Sequence, residues 1–98
     1  MNRYARRTDA NHSAIARALE QIGVGVHDTS ALGEFVDLIT VQAGVIRFLE
    51  VKDGDKSPSR RKLTLAQVRL HEMFRVHGCK IHVVTSVDEA LLLHGARL

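Results

Sequence analysis

The sequence predicts an α/β domain, a mixed sheet of about four strands flanked by helices. Three observations predict it. Runs rich in Val, Ile, Leu and Phe stand at 35–41, 45–51 and 80–85. The first two are separated by Gln42-Ala43-Gly44, a hairpin signal. Segments of helical period precede the hairpin, follow it and close the chain.

In chain order, residues 1–8 form a polar, basic N-terminal arm, and 9–98 form one domain. Asp9 and Asn11 are both N-cap candidates for a helix running to about Gln21, with Ile15, Ala18, Leu19 and Ile22 along one face. Gly23 suits its C-terminal end. Val24-Gly25-Val26 reads as a short strand, and His27-Asp28-Thr29-Ser30 as a turn. The hairpin follows, and then a charged loop at 53–62. Thr64-Leu65-Ala66-Gln67 matches a capping box, so a helix begins there, with Leu65, Val68, Met73 and Val76 on its apolar side. Gly78 ends it. Lys80–Thr85 is a strand, expected to run parallel to Val45–Val51 through a right-handed crossover. Ser86-Val87-Asp88-Glu89 opens a last short helix through about Leu93.

Composition narrows the functions available. The 98 residues are 45% hydrophobic and 26% charged, which fits a soluble fold. Aromatics are only 4%, with no Trp, so a base-stacking platform has little to build with. The net charge is +3. Its cations cluster as Arg3, Arg6 and Arg7 near the start and as Lys56, Arg60, Arg61 and Lys62 in one loop. Such clusters suit phosphates. One cysteine, Cys79, excludes an intrachain disulfide, and no apolar run approaches the roughly 20 residues that span a membrane. Both point to the cytoplasm. Cys79 itself reads as a small core residue. The six histidines make no zinc spacing, although His27 lies near a turn that could approach a substrate.

One pattern carries chemistry. With Ala43-Gly44 as a two-residue turn, Leu38 faces Leu49 and Asp37 faces Glu50. Directly opposed residues share a face, with Cβ atoms roughly 4.5–5.5 Å apart. Lys52, two residues beyond Glu50, points the same way. Two opposed carboxylates repel unless a cation, a raised pKa or solvent relieves them. A hard divalent cation such as Mg²⁺ takes one or two carboxylates plus waters and phosphate oxygens. Asp37, Glu50 and the Val51 carbonyl are the candidate ligands, and Lys52 the group that holds water or neutralises charge on phosphorus. In the bland alternative, Glu50 and Lys52 are exposed strand residues and Asp37 caps a turn.

The segments Gly33-Glu34-Phe35-Val36-Asp37-Leu38-Ile39, Phe48-Leu49-Glu50-Val51-Lys52, Leu63-Thr64-Leu65-Ala66-Gln67 and Gly78 to Glu89 resemble the PD-(D/E)xK nuclease superfamily, and in particular the small VRR-NUC-type nucleases of phages and bacteria. The resemblance implies a restriction-endonuclease-like core and Mg²⁺- or Mn²⁺-dependent cleavage of DNA. It makes Asp37 and Glu50 metal ligands, Lys52 the catalytic lysine, and Gln67 the glutamine that opens the family's next helix. It also implies a homodimer acting on branched or Holliday-junction-like DNA. The basic residues Arg6, Arg7, Lys56, Arg60, Arg61 and Lys62 are the expected DNA contacts. Two departures stand out. Val36 replaces the usual Pro before the Asp, and Asn11 stands near the place of a metal-reaching Glu on the first helix, where Asp9 and Glu20 are the other oxygen donors. A DNA-binding protein of the same fold without catalysis is the alternative, and a small interaction module is a third reading.

Overall fold

The computed structural model describes residues 11–54 and 62–98. The basic arm with Arg3, Arg6, Arg7 and Asp9, and the loop residues Asp55, Lys56, Ser57, Ser59, Arg60 and Arg61, lie outside them. The elements are α1 (His12–Gln21), β1 (Gly25–Asp28), a 3₁₀ turn (Ser30–Leu32), β2 (Leu38–Gln42), β3 (Val45–Val51), α2 (Leu65–Val76), β4 (Ile81–Val84) and α3 (Val87–Leu93). They form one four-stranded sheet in the order β1-β2-β3-β4. The first three strands are antiparallel neighbours, and β4 runs parallel to β3. The predicted mixed α/β architecture and crossover are therefore present.

The hairpin register is as the two-residue turn requires, from Gln42↔Val45 to Leu38↔Leu49. Ala43 and Gly44 both have positive φ, 50° and 78°, the geometry of a type I′ turn that follows the strand twist. The pairing sorts side chains onto two faces. On one face Leu38, Leu49, Val51 and Val84 join Ile15 and Leu19 of α1 and Ala90 of α3 in the apolar core. On the other stand Phe48, Glu50 and Ile81, covered by α2, whose Phe74 meets Phe48 edge to face at 5.1 Å. The sheet thus divides an apolar layer from a polar one.

Polar bonds fasten the helices to this sheet. His12 is buried on α1 and its Nε2 lies 3.0 Å from Asp28 Oδ2. Burial alone would raise the Asp28 carboxyl; hydrogen bonds from the Ser30 hydroxyl and amide and from His12 outweigh it and hold the group below its ordinary range. On α3, His94 Nδ1 is 2.7 Å from the Ala90 carbonyl, which can only accept, so this nitrogen carries the proton. Nε2 then accepts from the Thr40 hydroxyl at 2.8 Å.

Several sequence expectations are corrected here. The strand expected at 35–41 begins at Leu38, because Gly33 and Glu34 take positive φ and the chain turns just before it. Val24 precedes β1, and its side chain is buried in the core. β1 instead runs on through His27 and Asp28, two residues expected in the turn, and His27 pairs with Ile39 there. The apolar side assigned to α2 faces outward: Leu65, Val68, Met73 and Val76 are 65%, 48%, 48% and 58% exposed. Its inward face carries Gln67, Leu70, His71 and Phe74, a mixture of polar and apolar groups. Cys79 is exposed, not core. No helix among the described residues is long and apolar enough to cross a membrane.

Burial lowers the pKa of His71, His82 and His94 from 6.5. As pH falls, the unfolded chain therefore takes up these protons before the folded one does. The stability they support is complete above about pH 6.5 and is lost below it. Urea denaturation should show a lower midpoint at pH 5 than at pH 7.5. A midpoint independent of pH over that range would contradict the assignment of a neutral, buried His94.

Candidate active site

The carboxylates sit where β2 and β3 leave the regular ladder. Leu38↔Leu49 is the last regular pair. Just outside it, the Asp37 amide donates to the Leu49 carbonyl at 3.0 Å, and its Oδ2 accepts from the Val51 amide at 2.8 Å. The Asp37 carboxylate thus takes a main-chain donor of the neighbouring strand. Thr29 fixes the backbone around it: its hydroxyl donates to the Val36 carbonyl at 2.6 Å and its amide to the Asp37 carbonyl at 2.9 Å. Asp37 and Glu50 are only 5% and 1% exposed. This removes the bland reading of Glu50 as an exposed strand residue. A carboxylate so buried is costly unless donors surround it.

For Glu50 the donor comes from α2. Gln67 Nε2 donates to Glu50 Oε2 at 2.7 Å. Gln67 Oε1 accepts from Lys52 Nζ at 2.9 Å and from the Thr64 amide at 2.8 Å. Thr64 Oγ1 in turn accepts from the Gln67 amide at 3.2 Å, which completes the capping box. The sequence offered two roles for Gln67, a partner in the helix cap or a site residue. The structure has both in one side chain, with one amide oxygen serving cap and lysine together.

Lys52 is placed by its backbone. Its amide donates to the Val84 carbonyl at 3.0 Å, and Gly54 donates to Thr85 at 3.1 Å. A Cβ on Gly54 would meet the Thr85 carbonyl oxygen at 2.7 Å, so only glycine fits this crossing. Asn11 closes the same corner. It occupies the N-cap position of α1 but makes no side-chain cap bond. Instead its Nδ2 donates to the carbonyls of Lys52 at 3.2 Å and Thr85 at 2.8 Å. Its Oδ1 is buried and has no hydrogen-bond partner among the described residues.

His71, one turn after Gln67, was missed in the site reading although i and i+4 share a helix face. Its Nε2 lies 3.8 Å from Glu50 Oε1, a contact too long for a hydrogen bond. Burial, and then the charge of Lys52, lower its pKa, so the ring is neutral at neutral pH. Thr29 was also missed, and a threonine in a turn-rich stretch offers no sequence signal for such a role. Glu20 is exposed toward the far end of α1, and His27 lies on the edge strand β1, paired with Ile39. Lys62 is exposed at the start of the segment leading into α2.

Oxygen donors for a hard cation are therefore present as Asp37, Glu50, the Val51 carbonyl and the orphaned Asn11 Oδ1. No group of three or more His, Cys, Asp or Glu side chains among the described residues could hold a metal. Mg²⁺ does not need one, since it keeps several waters and takes one or two carboxylates. The donor set fits Mg²⁺ or Mn²⁺ and does not fit a structural zinc site.

Comparison with solved structures finds a VRR_NUC domain that superposes with a TM-score of 0.64. It is 30% identical, and the match covers 90% of this chain and 97% of that one. The chain belongs to the VRR-NUC family. The restriction-endonuclease-like fold expected from the resemblance is the fold found, and the VRR-NUC assignment makes this a nuclease-type domain. No family model matches the sequence, and no curated protein matches it.

The geometry ranks three substitutions. Thr64→Ala removes one cap bond and should cost about 1 kcal/mol. Thr29→Val removes a buried hydroxyl that serves the Val36 carbonyl, for about 1–3 kcal/mol. Gln67→Leu removes three side-chain bonds, one of them to the buried Glu50 carboxylate, so it should cost more than Thr64→Ala. Urea denaturation of the three variants measures the order. A Gln67→Leu protein as stable as Thr64→Ala would show that the bridge contributes nothing.

Proposed function

We propose that the chain is a metal-dependent endodeoxyribonuclease, hydrolysing phosphodiester bonds at Asp37, Glu50 and Lys52. The observation that supports this most is the pair of buried carboxylates beside a half-buried lysine, with one glutamine amide bonded to both Glu50 and Lys52. An arrangement kept buried at such cost serves a ligand better than it serves stability.

In this reading Asp37, Glu50 and the Val51 carbonyl hold Mg²⁺ or Mn²⁺, with Asn11 Oδ1 as a further oxygen donor. When bound, the ion supplies a more acidic water and polarises the phosphate. The protein's own groups do the rest. The Val51 amide fixes the Asp37 carboxylate, and Gln67 fixes that of Glu50. Lys52 Nζ, steered by Gln67 Oε1, is the cation that orients the attacking water and offsets negative charge as the P–O bond breaks. The neutral His71 ring shields Glu50 on the α2 side.

The substrate proposed is DNA, as the VRR_NUC relative and the basic clusters support, with a preference for branched or junction structures. Among the described residues there is no helix-turn-helix or zinc finger with which to read sequence. A homodimer would set two such centres on the two strands of a symmetric junction. The second reading is a DNA-binding protein of this fold without catalysis, which Asn11 in place of an acid favours.

A cleavage assay with linear, flapped and four-way DNA tests the first reading. Wild type should cut in Mg²⁺ or Mn²⁺ and not in chelator. Glu50→Ala and Lys52→Ala should each lower the rate by about two to three orders of magnitude. DNA binding without cutting, together with no Mn²⁺ binding, would establish the second reading instead. Equal cutting by wild type and both variants would exclude the proposed centre.

A further inference from the structure

A groove of about 300 Å³ lies on the α2 side of the sheet, lined by His71, Arg75, Cys79, Lys80 and Ile81. It adjoins the carboxylate site directly. His71 is the common wall, 3.8 Å from Glu50 on one side and lining the groove on the other. The floor is Ile81, 5% exposed and paired with Phe48 across β3 and β4. The far rim is set by the end of α2. The Cys79 amide donates to the Phe74 carbonyl at 2.8 Å and Gly78 turns with φ 84°, which brings Cys79 and Lys80 back against the helix.

The lining has a definite chemistry. Of its five residues two are cations and none is acidic. Arg75 is held in place by Glu72 at 2.6 Å, while Lys80 is exposed at the mouth. The walls behind them are an aliphatic side chain, a thiol and an imidazole ring. This combination suits a group with one anionic end and one flat, weakly polar end. The volume is at the lower limit of small-molecule sites. It is of the size of a single nucleotide. The larger cavity of about 440 Å³ around Lys80, His82, Glu89 and Leu92 carries an acid in its lining and does not reach Glu50.

We propose that this groove seats one unpaired nucleotide of the substrate strand, next to the phosphate held at Glu50 and Lys52. Lys80 meets its phosphate, and the base lies against Ile81 and Cys79 with the His71 ring as a stacking surface. The proposal rests on the phosphodiesterase reading of the Asp37–Glu50–Lys52 centre and gives that centre its substrate class: DNA with a strand that is unpaired, or readily unpaired, beside the cut.

Cys79 is the single cysteine and is exposed, so it serves as a chemical probe of the groove. The experiment uses the full chain as Lys52→Ala, which slows cutting, with flapped DNA carrying a disulfide-tethered base at one position at a time. Trapping should be confined to the one or two unpaired nucleotides nearest the cut and be absent with the Cys79→Ser version and with fully paired DNA. In a second measurement, Lys80→Glu in the otherwise wild-type chain should raise KM for flapped DNA by about tenfold, with a smaller effect on kcat. Cys79 and Lys80 are exposed, so folding is not at stake at these two positions, and circular dichroism checks the fold of the Lys52→Ala chain. Trapping at every position alike, or a Lys80→Glu effect equal on flapped and paired DNA, overturns the groove proposal while leaving the catalytic centre intact. A wild-type chain that cuts no DNA overturns the centre and the groove with it.

Discussion

One side chain holds the polar half of this protein together. α2 has no fully buried residue, and Leu65, Val68, Met73 and Val76 point outward. An edge contact between Phe74 and Phe48 is its one aromatic tie to the sheet. Beside Leu70 and Phe74, the Gln67 amide sets the helix in register, joining Glu50, Lys52 and Thr64 through three hydrogen bonds. Bonds to charged groups are the stronger kind, roughly twice the neutral ones. The helix start, the buried acid and the lysine therefore form or fail as a unit. An apolar interface would place α2 as firmly, but it would remove the Gln67 hydrogen bond to Glu50.

The two faces of the sheet divide the labour accordingly. Leu38, Leu49, Val51 and Val84 lie on the apolar face with α1 and α3, and these supply the core. Glu50 lies on the other face of the same strand as Leu49 and Val51, one residue away from each. Alternation along β3 thus lets a short strand carry a core and a chemical site at once. The corner that aims Lys52 is built from main chain: Asn11 on two carbonyls, Gly54 against Thr85, and Lys52 on Val84. The proposed DNA groove continues from this polar face toward the end of α2.

Much of this was legible in the residues. Ala43-Gly44 fixed the turn, the turn fixed the register, and just beyond its last pair Asp37 bonds Leu49 and Val51, the neighbours of Glu50. The Thr64–Gln67 capping box located α2, and Ser86 located α3 as its N-cap, although Glu89 bonds Thr85 there and closes no box. The failures have physical causes. Apolar spacing on α2 was read as a core face, but a helix that must satisfy a buried acid turns its glutamine inward and leaves its valines out. Thr29 could not be found, because its role depends on β1 lying beside β2. Asn11 is not among these failures: its amide nitrogen bonds two carbonyls, and Oδ1, the atom a cation would take, is buried with no hydrogen-bond partner among the described residues. Cys79 looked like core from its place beside a strand, yet the Gly78 turn puts it on the rim.

The central claim is that Asp37 and Glu50 are buried in order to share an ion. The most direct measurement is a crystal structure of the full chain soaked in Mn²⁺, read by its anomalous signal. The account predicts one ion bound by oxygens of both Asp37 and Glu50, with Lys52 still bonded to Gln67. An anomalous map with no peak at these carboxylates, at an Mn²⁺ concentration that supports any cutting, would contradict it.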